Sequence, residues 1–497
     1  MDNLQSNLLP SIRAMLDAFR ENGIVYCHWK SNEHLAAALA GETDLDVLFL
    51  PEQRALLDRV LSECGLKRFR ATPLMQYNAI EDFIGFDKSA ARIWYLHAHY
   101  RMTLGEKHLK GYTVTPWGPY ILQNRTTDAS GIDTSSPEIE LVLLLARMAL
   151  KKRWRDIGHK VGNDDLTEYH WLFERVDLTR VEGHAREMIG ADGAGLVLAL
   201  CDGKLKKKAQ LTPLYRYLRR ELKCFTGYSR TGSRWMRTRR ELYWLAGGIR
   251  RRLGLDGCTP HRRVSPSGGA AVVFMGCDGA GKSTSLDYVK REFSKKIDVK
   301  SVYLGSGDGS SSLLRRPMKA VARKVGGKGL GHAVEQEYEE KKRISLKSHL
   351  YNLAKIVWAV TLAREKKHKL RQITRARNNG MLVLVDRFPQ TAIPGSSDGP
   401  LLTRYLKNKR GLRKWLARRE YAIYASASRN QPDLALKLTV PTDVAILRKP
   451  EMTPREIERK KAAVRAFNGA LRLVEIDTSC PKEQSFGQIM EEIWRIL

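Results

Sequence analysis

The chain has 497 residues, 43% of them apolar, and 86 lysines and arginines stand against 54 aspartates and glutamates, a formal charge of +32. At about 150 residues per domain, this length predicts about three units rather than one core. No run of about 18 apolar residues is present, which excludes a bilayer-spanning helix. The amphipathic, partly acidic start "MDNLQSNLLPSIRAMLDAFRENG" excludes a cleavable signal, so a cytoplasmic protein is expected. The charge selects polyanionic partners, whether nucleotide, nucleic acid or an anionic membrane face. The seven cysteines are scattered and lack CxxC spacing, which argues for reduced thiols over disulfides or a zinc site.

Residues 1–130 mix helices with strand-like runs, "IVYCHW", "DLDVLFL", "FIGF" and "RIWYLHAHY", rich in β-branched and aromatic residues. An α+β domain is expected. Its segment "KSNEHLAAALAGETDLDVLF" resembles the nucleotidyltransferase superfamily, in which a helix with a small or polar start precedes a strand bearing Asp-x-Asp. Residues two apart on a strand face the same way, about 6.6 Å apart, so Asp44 and Asp46 could share divalent ions. Ser31, at the helix start, could receive a phosphate. The third carboxylate of that fold falls on "YLHAHYRM", where His97 and His99 stand. Imidazole is a poor magnesium ligand because hard cations prefer oxygen. Three readings stay open: a domain that binds without catalysis, a site for another metal, or histidines that only satisfy the strand.

Residues 131–260 read as helical and strongly basic. Between Lys204 and Arg252 sixteen lysines and arginines face only Glu221 and Glu241, with Trp235, Tyr243 and Trp244 interleaved. On a helix Trp235, Leu242 and Leu245 share one side among arginines, a pattern that suits an anionic membrane surface. An interdomain helix with its aromatics packed inward fits the same spacing. Nucleic acid is a further partner class, although no recognised nucleic-acid module is present.

"HRRVSPSGG", 261–269, is a linker by its Pro, Ser and Gly. Over 268–497 the strands "AAVVFM", "VKSVYL", "MLVLV", "LALKLTV" and "LRLVEI" alternate with helices, which predicts an α/β domain with a parallel sheet covered on both faces. After the first strand, "GCDGAGKST" fits the phosphate-binding pattern G-x-x-x-x-G-K-[ST]. Gly276, Asp278, Gly279, Ala280 and Gly281 would curl the backbone so that its N–H groups and the helix N-terminus meet a phosphate. Lys282 would bridge β- and γ-phosphates, with Ser283 joining the Mg²⁺ shell and Thr284 next on the helix.

Together with "MLVLVDRF" and "PDLALKLTVPTDVAILRKPEMTPREIERKKAAVRAF", this loop resembles the thymidylate kinase branch of P-loop nucleoside monophosphate kinases. The resemblance implies that Asp386 holds Mg²⁺ or orients the acceptor and that Arg387 contacts a reacting phosphate. It also implies that Arg448, Lys449, Arg455 and Arg459 belong to a lid over the nucleotide, whereas a solvated basic helix would carry the same charges. The family's acidic-Pro-Gly-Gly segment and its Tyr-Gln pair are replaced by "YLGSGDGSSSLLRRP" and "FPQTAIPGSSDGP". The donor half is intact and the acceptor half rewritten. The expectation is an ATP- and Mg²⁺-dependent phosphotransferase acting on an unidentified anionic acceptor other than thymidylate. A nucleic-acid-end kinase and an ATP-binding regulatory or scaffold protein with a degenerate nucleotidyltransferase domain are the alternatives.

Overall fold

Strand-forming runs and helical spacing take the places expected of them in a computed structural model, which describes residues 8–152, 158–253, 257–305, 346–391, 393–394, 398–408, 410–427 and 429–497. It divides into two compact units, Met1–Gly254 and Leu255–Leu497. Among the described residues no helix is long and apolar enough to cross a membrane.

In the first unit β1 (Tyr26–His28), β2 (Asp44–Phe49), β3 (Lys67–Ala71), β4 (Ile80–Asp87), β5 (Arg92–His99), β8 (Arg125–Thr127) and β9 (Asp133–Ser135) build a mixed sheet in the order β3-β4-β5-β2-β1-β9-β8. β6 (Met102–Leu104) and β7 (Tyr112–Val114) form a separate antiparallel ribbon. β2 runs parallel to β5, and β4 antiparallel to it. One side of the sheet is covered by helix Pro10–Glu21 through Ile12, Met15 and Phe19, the last edge-on to Phe49 at 5.6 Å.

The helix Pro137–Lys151 organises the rest. Ser136 caps it, its hydroxyl accepting from the Ile139 N–H, with Pro137 in the first turn. Apart from Glu140 and Arg147, "IELVLLLARMAL" is apolar, and it is buried on every side, so each side needs cover. Helices Asn163–Phe173, Leu178–Leu198 and Thr212–Glu221 surround it, and Cys27 and Leu48 from the strands, with Trp29 just after β1, enter the same core. The division expected near residue 130 is therefore no boundary between compact units. A helix buried all round cannot stand apart from the sheet.

In the second unit a short β10 (Arg263–Val264) bridges Ile297. β11 (Ala271–Gly276), β12 (Val299–Tyr303), β13 (Leu382–Asp386), β14 (Leu434–Thr439) and β15 (Arg472–Asp477) form an all-parallel sheet in the order β12-β13-β11-β14-β15. Its central strands are continuous apolar runs, as burial on both faces requires. From β11 the chain goes to one side, to β12; from β13 it crosses to the other, to β14. The carboxyl end of β11 is thus the switch point where such sheets bind ligands. Of the rewritten acceptor segments, the first lies outside the described residues from 306 onward, and the second only at 392 and 395–397.

Candidate phosphate-binding site

β11 delivers the loop to the switch point, with Val272, Val273 and Phe274 fully buried. The turn that follows needs glycine at two positions. Gly279 has φ +84° and Gly281, the N-cap of helix Lys282–Phe293, has φ +73°, in the left-handed region that other residues avoid. A Cβ on Gly279 would also lie 2.8 Å from the Ala445 carbonyl oxygen. Thr478 braces the loop by donating to the Ala280 carbonyl at 3.3 Å. Ser283 and Thr284 are exposed in the first helical turn, where the peptide dipoles leave partial positive charge.

Lys282 is 8% exposed, and its Nζ donates to the carbonyls of Gly276 at 2.9 Å and Cys277 at 2.6 Å. Burial lowers its pKa and Arg387 adds to this, with Asp278 and Asp386 opposing. The loop thus holds an ammonium whose nearest partners are neutral dipoles.

Asp386 ends β13, in register with Phe274 of β11 and Tyr303 of β12. Its Oδ1 is buried with no hydrogen-bond partner among the described residues. Burial pushes the carboxyl above its ordinary range, against the pull of Lys282 and Arg387. An orphaned carboxylate oxygen beside the loop fits a hard divalent cation. Arg387 follows at φ +66°, an uncommon conformation for a non-glycine residue and one that concentrates at functional sites. Its guanidinium reaches Asp278 Oδ1 at 3.3 Å and Asp398 Oδ2 at 3.8 Å. Asp398 is held in turn by the buried Lys366, at 3.1 Å.

Of the expected lid residues, Arg448 is brought to the loop: it donates to the carbonyls of Gly279 at 3.2 Å and Thr478 at 2.9 Å. Lys449, Arg455 and Arg459 are exposed. From helix Pro454–Ala466, Lys460 reaches the loop and pairs with Asp278. Burial pushes the Asp278 carboxyl up, but Lys460, Lys282 and Arg387 hold it below its usual range. Reasoning from charge alone missed Lys460. Its signal was spacing: it falls three residues after the buried Ile457 and four before Val464, on the inward stripe.

In the first unit, strand alternation puts Asp44 and Asp46 on one face, as expected. Asp46 is already engaged. Its Oδ2 lies 3.0 Å from Lys30 Nζ, and its Oδ1 lies 3.0 Å from His97 Nδ1 and 3.4 Å from His99 Nε2. The ligand atoms of Asp46, His97 and His99 lie within 4.8 Å of one another; Asp44 is not part of this group. Burial lowers the pKa of both histidines, with Asp46 opposing. Asp82 of β4 pairs with His97 across the strands, its Oδ1 3.6 Å from Nε2. Burial and the neighbouring Lys30 bring Lys110 down to about 8. Ser31, expected to meet a phosphate, begins a three-residue 3₁₀ turn, and its N–H donates to Glu168 Oε1 at 3.3 Å while that of Asn32 donates to Glu140 Oε1 at 3.0 Å. Carboxylates occupy the amides a phosphate would need.

No protein-family model matches the chain. It is 27% identical over 228 residues to the uncharacterized ATP-binding protein YghR of Escherichia coli K12, spanning 45% of this chain and 86% of that one. It is 25% identical over 219 residues to YghS of the same strain, also named an uncharacterized ATP-binding protein, spanning 43% and 87%. Among solved structures, thymidylate kinase from Candida albicans aligns at 15% identity and a TM-score of 0.25, covering 46% of this chain and 91% of that one. The glycine loop between strand and helix, at the switch point of an all-parallel sheet, is a P-loop nucleotide-binding fold.

Proposed function

We propose that the second unit binds ATP with Mg²⁺ and transfers the terminal phosphoryl group to an anionic acceptor other than thymidylate. The observation that carries this reading is the buried, unpartnered Oδ1 of Asp386 beside the lysine of a complete glycine loop. The ATP-binding names of the E. coli relatives support the choice of nucleotide. Mg²⁺, held by Asp386 and Ser283, would offset charge on the β- and γ-phosphates.

The chain's own residues do the positioning. Loop amides and the helix N-terminus cradle the donor. Lys282 exchanges its two carbonyl partners for phosphate oxygens, gaining ionic acceptors in a desolvated place. Arg387 and Lys460, balanced in the structure by Asp278, are cations within reach of a second anion, so acceptor and donor phosphates meet across Asp278 and Asp386. Such sites work through preorganised charge rather than covalent chemistry.

Lys282→Ala tests the reading in an acceptor screen with γ-labelled ATP. Transfer or hydrolysis should fall by about a hundred- to a thousandfold, as for loss of one preorganised charge. Unchanged turnover in a folded mutant removes the kinase assignment, whereas nucleotide binding without transfer to any acceptor favours the regulatory alternative. For the first unit we favour an altered nucleotidyltransferase-like site, because Lys30, His97 and His99 occupy the carboxylate that a second metal ion would need. Pyrophosphate release from ATP by a Lys282→Ala chain, abolished by a further Asp46→Ala, overturns that view. The full chain is used so that the first unit keeps Leu211, Leu214 and Leu218, which complete its core.

A further inference from the structure

We propose that helix Arg230–Arg252 is a surface anchor that lays Trp235, Leu242, Leu245, Ile249 and Leu253 into the interface of an anionic lipid bilayer. At 3.6 residues per turn these positions fall within an arc of roughly 80°. They are 61%, 60%, 50%, 48% and 65% exposed. Isolated exposed leucines need no explanation, but a one-sided stripe of five large apolar residues does.

The same helix has a second, attached face. Arg240, 5% exposed, donates to the carbonyls of Gln76 at 2.9 Å, His108 at 3.3 Å and Leu109 at 3.2 Å. Trp244 lies on that side, its ring 5.6 Å from His108. The first unit therefore grips one side of the helix and leaves the apolar side outward.

The flanks identify the occupant. By the same helical geometry Arg239 lies on one shoulder of the stripe and Arg234 and Arg252 on the other, all three exposed. The Arg239 guanidinium sits 5.1 Å over the Trp235 ring. An apolar stripe between cationic shoulders suits an interfacial helix on anionic lipid: the stripe enters the acyl boundary and the arginines stay at headgroup level. Nucleic acid would satisfy the arginines but give Leu242, Leu245 and Ile249 no apolar surface. A second copy would cover the stripe but bring arginine shoulders together.

The test is flotation of the full chain with vesicles of neutral phosphatidylcholine, alone or with about 30% phosphatidylglycerol. The expected result is at least about tenfold stronger partition onto the anionic vesicles, falling with salt. Combined Trp235→Ser, Leu242→Ser, Leu245→Ser and Ile249→Ser should reduce it by about tenfold or more with the melting temperature unchanged. Arg234→Gln and Arg239→Gln should each weaken it by about fivefold, the equivalent of roughly 1 kcal/mol per charge at an anionic surface. Equal binding to neutral vesicles, no binding, or full binding by the four-serine variant overturns the proposal. So does a DNA duplex of about 20 base pairs that binds the native chain and not that variant, or a native dimer that the serine variant makes monomeric.

Discussion

Gly279 and Gly281, two residues apart in the chain, separate local strain from close packing and so measure how tightly the loop is built. Both lie at positive φ, +84° and +73°, where alanine costs about 1–2 kcal/mol, partly offset by about 0.4–1 kcal/mol from the less flexible unfolded chain. Gly281→Ala meets nothing within 4 Å, so its net cost is about 1 kcal/mol. Gly279→Ala places its methyl 2.8 Å from the oxygen and 3.2 Å from the Cα of Ala445. Backbone must move, which adds about 1–3 kcal/mol. For a unit of this size, each kcal/mol lowers the melting temperature by about 2–4 °C. Gly279→Ala should therefore melt about 4–16 °C below the native chain and Gly281→Ala about 2–4 °C below it. Ala445 lies one turn before Arg448, whose guanidinium holds the Gly279 carbonyl, so Gly279→Ala should also weaken nucleotide binding more than Gly281→Ala does. Scanning fluorimetry and nucleotide titration check both. Equal melting shifts in the two variants refute the packing argument.

Asp386→Asn should raise the melting temperature at neutral pH without divalent ions, because the raised carboxyl pKa means folded-state stability falls as pH rises through it; the same variant should lose any Mg²⁺-dependent stabilisation, read by melting curves with and without Mg²⁺. Burial raises Glu140 to about 7 from 4.5, so its contribution is full below the lower value and lost through the higher. Glu140→Gln should therefore gain stability over the native chain above neutral pH, up to roughly 3 kcal/mol, and none at pH 4 to about 4.5; parallel denaturation curves across pH would contradict this. His97→Asp sets a third carboxylate beside Asp46 and Asp82, and should lower the melting temperature at neutral pH by repulsion that Mn²⁺ or Mg²⁺ relieves. A variant indifferent to divalent ions would show that the three groups cannot share one.

Much of the second unit was legible because its signals are local. A loop that needs positive φ at Gly279 and Gly281 has few spellings, and strands buried on both faces read as apolar runs such as "AVVFM". What sequence could not supply was partnership across distance. Asp82 and His97 are fifteen residues apart and meet only because β4 and β5 pair in that register. Lys460 looks like Arg455 and Arg459 by charge, and differs only in the face it occupies. The same holds near residue 130: composition changes there, but Cys27, Trp29 and Leu48 enter the core of the helices that follow.

Asp278 shows why a loop residue outside the consensus positions matters. It stands between Arg387 of the β13 end and Lys460 of helix Pro454–Ala466, so one carboxylate ties three separate segments together at the switch point. A polyphosphate arriving at the loop brings oxygens that compete for the same two cations. Each contact it gains with Arg387 or Lys460 loosens Asp278, and the repulsion between Asp278 and the incoming phosphates grows unless a divalent ion lies between them. In the proposed function Asp386, with its buried free oxygen, is the group that would hold that ion. On the proposed reading nucleotide and cation would bind as a unit, and the loop's own aspartate would set the preference for the metal-bound nucleotide over the free one.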